Sequence, residues 1–456
     1  MQTLRLRGNT TTVGILICIC ILLGLAIGAV TAIHSTYSLV FLIIPIIYVF
    51  TKRPYLSFLF LLVLFPIPGV FISPSIHISL PISQLSYAFN GLVILLTIFR
   101  ICKSLIINKN EKNRNSTIFN VLLAIVSIML LYFTCSIFYS VDKHLGITYL
   151  LRLIIPFCML FLAWDFCKEE SKKNTLFIVI SFTTAMQSIL GILEYFKFHV
   201  VLGTFYHPAN LTMFMGFGML ITLWLFMQSK KGRVFYLILL LINFIPFILA
   251  GERISWISFI ISALILSSYR KRYYIFLGIV FTAIWFFGQE LLASRIGMIT
   301  SFQESGGFDT SNSVGWRFKI WGVIYNLALQ NPFFGHGLGS SNSVVGSVYV
   351  SNAFAPHNEY LRLFFEVGVI GLLLFILVVV VIIFATLRIQ KNMRILTIAV
   401  TAGYLVDMIT DNIVIYPEVT MTCFVIIGAC LSTHKQNSEL KKGTHHEIFI
   451  SNANQK

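Results

Sequence analysis

Long apolar stretches, joined by short polar connections, fill most of the chain. A helix needs about 20 apolar residues to cross the hydrocarbon core of a bilayer. Stretches near that length lie at residues 12–32, 36–51, 55–72, 82–101, 118–138, 145–166, 174–196, 204–228, 234–250, 252–269, 273–288, 358–387, 395–411 and 414–433. The second and third are short, and the boundaries at 250–252 and 411–414 are tight, so the pattern predicts about twelve to fourteen spans. No segment alternates apolar and polar residues as a membrane barrel strand does. That leaves an all-α, polytopic membrane helical bundle as the spanning solution. The chain reads as a single membrane domain over residues 1–456, with a polar tail from 434 to 456.

Residues 289–357 break this pattern. The stretch is polar, rich in Gly, Ser and Asn, and far longer than a helix connection needs, which marks it as a functional loop. Within it, Trp316, Ile320 and Ile324 recur four apart. Their spacing predicts an amphipathic helix over Trp316–Leu329 lying on the membrane face, ended by Asn331-Pro332. Gly335, Gly337 and Gly339 follow and read as a turn that permits close backbone approach. Beyond the loop, Gly368 and Gly371 sit three apart on one predicted helix face, where small residues favour tight helix packing.

Composition agrees with a membrane protein. Of 456 residues, 57% are hydrophobic and 11% charged, and the net charge is +16. The mean hydropathy is +0.87. These values exclude a disordered chain, a disulfide scaffold and an ordinary soluble enzyme. A basic balance often points to nucleic acid, but here the positive residues sort by loop. With a cytoplasmic N-terminus, only eight of the 33 Lys and Arg fall outside: Lys143, Arg152, Lys197, Arg253, Arg295, Arg317, Lys319 and Arg362. The others hold orientation, as the positive-inside rule requires, and form no nucleic-acid patch. Both termini are then expected in the cytoplasm and the long loop outside. The first apolar run lacks a small-x-small cleavage site and reads as an uncleaved helix. The eight Cys are scattered, with no metal-binding spacing.

The outer positive residues run against the topological bias. Ionisable groups at or within spans are functional candidates. Arg152 lies in YLLRLIIP, Arg253 in GERISW, Arg317 in the loop helix, and Arg362 at the start of the span after the loop. A guanidinium stays charged and presents a planar fork that suits phosphate oxygens. The competing reading is pairing with Glu252, Glu359 or Glu366, or snorkelling. His357 opens the span after the loop and offers an imidazole that accepts a proton near neutrality. Asn358 beside it suits orienting or capping. Asp407 and Asp411, four apart, fit either a cation pair or a solvated helix end. The outer loop holds no Asp-x-Asp cluster for a metal.

His357-Asn358, nine residues, Gly368, two residues and Gly371 match a recognisable pattern. It is His, then Asn, Ser or Gln, nine of any type, Gly, two of any type, then Gly, Thr or Tyr. The chain thereby resembles the O-antigen ligase and polysaccharide polymerase superfamily. NPFFGHGLGSS resembles the family's segment before the His, GWRFKIW its loop Arg, and GERISW its membrane-mouth Arg. The resemblance covers residues 250–371 in motif, and Glu252 stands where many relatives carry a small polar residue. It implies a glycosyltransferase at the outer face of a bacterial cytoplasmic membrane. The implied donor is a glycan on undecaprenyl diphosphate. The acceptor is a lipid-anchored core sugar, a second carrier-linked glycan or another surface group, and other polysaccharide assembly proteins are possible partners. The implied chemistry is inverting and needs no metal or cofactor. His357 serves as general base and Arg253 and Arg317 hold the diphosphate; Arg152, Arg362 and Asn358 are further substrate-binding candidates. Two other classes compete: a transporter or flippase of lipid-linked sugar, expected to show repeat halves and midplane charges, and a non-catalytic assembly component.

Overall fold

The computed structural model describes residues 52–64, most of 91–100, 114–205, 207–229, 232–269, 313–348 and 355–433, with isolated positions between 274 and 282. The predicted spans at 12–32 and 36–51, most of that at 273–288, and the tail at 434–456 lie outside the described residues. Among those described, the regular structure is entirely helical. In chain order the helices are α1 (Pro54–Leu64), α2 (Arg114–Ile137), α3 (Lys143–Phe166), α4 (Glu170–Phe198), α5 (Pro208–Gln228) and α6 (Arg233–Leu249). Then follow α7 (Arg253–Ser267), α8 (Ser313–Ala328), α9 (Ser340–Val348), α10 (Glu359–Thr386), α11 (Lys391–Asp407) and α12 (Pro417–Leu431), with a 3₁₀ turn at Ile413–Ile415 before α12. Five of these helices, α2, α3, α4, α5 and α10, are long and apolar enough to cross a membrane, and α1, α6, α7 and α12 are shorter apolar helices. The sequence pattern thus placed the described spans to within a few residues.

These helices are apolar all round, as buried or lipid-facing helices are. Position in the bundle then decides which surface is covered. Protein surrounds α5 on nearly every side, with 94% of its apolar window buried. On α2 and α10 whole apolar faces stay open, as at Leu131 (66% exposed) and Phe384 (63%). Such surface requires lipid as its solvent. The densest helix pairs are α3 with α12 and α7 with α11. At one end of the bundle the Ser432 hydroxyl donates to the Cys167 carbonyl, and Arg100 and Lys168 pair with Asp165. At the opposite end α3, α5, α7, α10 and α12 all begin. There Thr212 in α5 meets Ser255 in α7 at 3.1 Å, and Arg152 in α3 donates to the Ile415 carbonyl just before α12.

One helix is not continuous. Gly368 in α10 has φ 66° and ψ −175°, a backbone region that only glycine adopts readily. The break frees backbone groups that a membrane interior cannot leave unpaired. The segment before α9 satisfies them. His336 N–H donates to the Phe365 carbonyl (2.9 Å) and Gly337 N–H to that of Glu366 (2.8 Å). Val369 N–H in turn donates to the Pro332 carbonyl (2.8 Å). A Cβ at Gly368 would stand 2.2 Å from the Phe333 carbonyl oxygen. This corrects the expectation that Gly368 packs on a straight helix face; it breaks the helix. Gly371 does pack tightly, with its Cβ position 3.1 Å from the Tyr132 ring of α2. Gly335, Gly337 and Gly339, all at positive φ, lie against the backbone of Glu366, Ser140 and Gly146, the close approach expected of them.

The first turns of α10 hold a buried ion triad. Arg362, 1% exposed, donates to Glu359 on one side and to Glu366 (2.6 Å) on the other, and lies over the Tyr149 ring. Its charge is fully matched by two carboxylates that no water reaches. Two predictions follow from α10. Gly368→Ala is expected to lose at least about 2 kcal/mol of stability, from glycine-only backbone plus the clash with Phe333. Gly322→Ala, whose new methyl meets nothing within 4 Å on exposed α8, should be neutral or slightly stabilising. Thermal unfolding in detergent separates them, and equal melting points would refute the account. Arg362→Ala strands two buried carboxylates, a loss of about 3–5 kcal/mol. It should appear as aggregated or absent protein on size-exclusion chromatography; a well-folded variant with only an activity defect would show the triad is not structural.

Candidate active site

The polar residues singled out from sequence gather at the end of the bundle where α5, α7 and α10 begin. His357 lies in the two-residue approach to α10. Its backbone has φ 50°, a left-handed conformation unusual for a residue with a side chain. Several bonds hold that conformation. The His357 N–H donates to Asn412 Oδ1 (2.8 Å). The preceding Pro356 carbonyl accepts from Trp321 Nε1 of α8 (2.8 Å). On the other side Asn358 caps α10, its Oδ1 accepting from Leu361 N–H (2.9 Å), and Glu359 N–H donates to the Met408 carbonyl (2.9 Å). Of the two roles weighed for Asn358, capping is the one its side chain performs.

The imidazole faces a carboxylate. His357 Nδ1 lies 3.2 Å from Asp411 Oδ1, with the His side chain 23% exposed and the Asp 6%. The same oxygen accepts from Tyr416 OH (3.0 Å) and from Asn412 N–H (2.8 Å). Burial alone would raise the Asp411 carboxyl. The hydrogen bond and charge of His357, with those two further donors, hold it below the ordinary carboxylate range instead. An ionised carboxylate only accepts hydrogen bonds. The shared proton therefore sits on Nδ1, with Asp411 as its acceptor.

Asn412 extends the arrangement inward. Its Nδ2 donates to Glu359 Oε2 (3.2 Å), and Glu359 belongs to the Arg362 triad. A continuous polar chain thus runs from the His357 backbone to Glu366, which accepts from the Ser341 hydroxyl of α9. Arg362 is therefore committed to the interior, as the pairing alternative had it. Arg152 is half-buried, donates to the Ile415 carbonyl (3.2 Å), and lies 5.9 Å from the Tyr149 ring.

Arg253 and Arg317 fare differently. Arg253 opens α7 directly after Glu252, and Arg317 lies in the first turns of α8. The predicted loop helix is present, with Ile320, Ile324 and Ala328 buried against Phe365 of α10 and Val345 of α9. Both arginines act electrostatically on Glu252, as do Asp411 and His357. Burial, then the Asp411 charge, push the Glu252 carboxyl above its ordinary range; Arg317, Arg253 and His357 pull against that. Among the described residues, Arg317 Nε is buried without a hydrogen-bond partner. A buried unsatisfied donor costs about 1–3 kcal/mol and calls for an acceptor.

The sequence pointed to Asp411 only as a helix end or cation ligand, and missed Asn412, Trp321 and His207. Thr410-Asp411-Asn412, a polar step between two apolar spans, was the available signal. No group of His, Cys, Asp and Glu suited to a metal occurs among the described residues.

Residues 237–376 match the family profile described as O-Antigen ligase. The matched stretch contains Arg253, Arg317 and His357 and stops before Asp411. A Rickettsia conorii protein named "Putative polysaccharide ligase" is 28% identical over 116 residues, covering 23% of this chain and 28% of that protein. The chain thus aligns with little more than a quarter of that relative. Over residues 237–376 this multi-pass membrane protein is thus similar to the O-antigen ligase family.

Proposed function

We propose that the protein is a glycosyltransferase acting on lipid-linked glycans at the outer face of the cytoplasmic membrane. The donor is a glycan on undecaprenyl diphosphate, and the acceptor is a surface sugar or a growing polysaccharide. One observation carries this reading. A histidine oriented by a buried carboxylate shares a neighbourhood with two arginines, one with an unsatisfied buried donor. Base and anion-binding groups together suit displacement of a diphosphate by a hydroxyl.

The step balances without a cofactor. His357 Nε2 takes the acceptor hydroxyl proton as the oxygen forms its bond to the anomeric carbon. The bond from that carbon to the diphosphate breaks, and the electron pair leaves with the diphosphate oxygen. Arg253 and Arg317 receive the growing negative charge through fixed donors. Attack from the face opposite the leaving group inverts the anomeric configuration. Asp411 stays ionised and stabilises the imidazolium as it forms. Arg152, less than three helical turns into α3, borders this end and suits the outer phosphate or glycan.

Two experiments test the reading. His357→Ala should stay folded and inserted yet lose glycan transfer, by about 10²–10⁴-fold as for a general base; the assay uses purified protein and a carrier-linked donor. Arg253→Lys and Arg317→Lys should each weaken donor use at least about ten-fold, because a point charge does not replace a planar fork. Wild-type transfer by the His357 variant would overturn the base assignment. Product length separates the outcomes for the acceptor: a single addition marks a ligase and a ladder marks a polymerase. Separately, Asp411→Asn keeps an acceptor for Nδ1 but removes the charge that steadies the imidazolium. It should lower the turnover rate about 10²-fold or more with little change in donor KM. A defect confined to a raised donor KM would place Asp411 in substrate binding instead.

A further inference from the structure

A second imidazole lies in the same cluster and has no part in the proton transfer just described. His207 is the N-cap of α5, in an extended backbone conformation. Its Nδ1 accepts from the Ala209 N–H at 3.2 Å. That bond fixes the tautomer: in the neutral ring the proton must sit on Nε2. The charged and titratable groups acting on the ring are Asp411, His357 and Arg317. These belong to three other elements, the α11–α12 connection, the approach to α10, and α8. The residue itself is exposed. Withdrawal of the ring from bulk water, with His357 and Arg317 adding to it against Asp411, lowers its basicity. His207 is thus a neutral ring whose N–H donor is fixed on Nε2, on an exposed residue within electrostatic reach of Arg317, whose Nε lacks an acceptor among the described residues.

A neutral N–H of this kind cannot act as the base, because its Nδ1 lone pair is already used by α5. We propose that His207 is a substrate-binding residue that donates from Nε2 to the anionic diphosphate of the carrier, alongside Arg317. This rests on the diphosphate-carrier reading above. A hydrogen bond from a neutral ring adds affinity for oxygen anions without adding positive charge next to His357, whose own imidazolium must form during transfer. It gives the site a geometric contact where a further cation would oppose the base.

His207→Asn isolates the contact. Asparagine is a good N-cap and its Oδ1 can accept from Ala209 N–H in place of Nδ1, but it carries nothing at the Nε2 position. Binding of undecaprenyl diphosphate to purified wild-type and variant full-length protein is measured directly, without transfer, beside thermal unfolding. The expected result is an unchanged melting temperature with binding weakened about ten-fold, the worth of one hydrogen bond to a charged group. In the transfer assay the same variant should raise donor KM and leave turnover within about three-fold. Equal carrier affinity in the two proteins would show that His207 only caps α5, and would overturn the inference while the carrier reading stands. Failure of the wild-type protein itself to bind the carrier would overturn both. Should His207→Asn be unstable, His207→Gln, which places an amide N–H near the lost Nε2, must restore affinity relative to His207→Ala; if it does not, the inference is wrong.

Discussion

A bundle buried in lipid has no water to satisfy a broken backbone, so the break in α10 at Gly368 requires a partner strand of chain. Pro332–Gly337 is that partner, bonded on both sides of the break. The consequence reaches well beyond local geometry. It ties the long loop to a membrane helix at a fixed register. His336 stacks on Phe365 at 4.5 Å and bonds the Leu327 carbonyl at the end of α8. Gly337 presses the same segment onto Ser140 in the connection between α2 and α3, and Gly339 presses it onto Gly146 at the start of α3. The described part of the loop, 313–348, is thereby held against α10 and carries Arg317 near its start.

The strain at His357 is the local counterpart of that rigidity. A left-handed backbone at a non-glycine residue costs of order 1–3 kcal/mol and persists only when its surroundings determine it. Here Trp321 holds the residue before, Asn412 the residue itself and the Asn358 cap the residue after. The interior end of this network is the Glu359–Arg362–Glu366 triad, exposed to 1% or less. An arginine that sequence reasoning weighed for the substrate thus contributes to the site by fixing the start of α10. Removing a charge there disturbs the start of α10, and with it the His357 backbone, through the fold.

How much of this was legible in the sequence depends on the range of each interaction. Spans, the loop helix and the motif residues rest on local hydropathy and spacing, and within the described residues they lie where the sequence put them. The role of Asp411 was not legible, because its partner His357 is 54 positions away and nothing local distinguishes a solvated helix end from a buried dyad. The same limit applies to Arg362: three- and four-residue spacing to Glu359 and Glu366 permitted the triad, but only packing against Tyr149 decides it. Gly368 was misread for a different reason. Glycine serves both close helix packing and helix breaking, and the choice is made by Phe333, which lies in another segment.

The division of the dyad between two stretches has a further consequence for the chemistry. His357 lies inside the stretch shared with the O-antigen ligase family, whereas Asp411 and Tyr416 lie beyond it, between α11 and α12. The orientation of the His357 ring is therefore set by how α11 and α12 pack, α11 on α7 and α12 on α3. Because the Asp411 carboxyl is held below its ordinary range, the stability it contributes is present above the unfolded carboxylate value. That contribution is lost only as pH falls through the lower folded value. An ionised Asp411 can only accept, so Nδ1 of His357 donates to it, and the ring is held wherever the packing of α11 and α12 places that carboxylate.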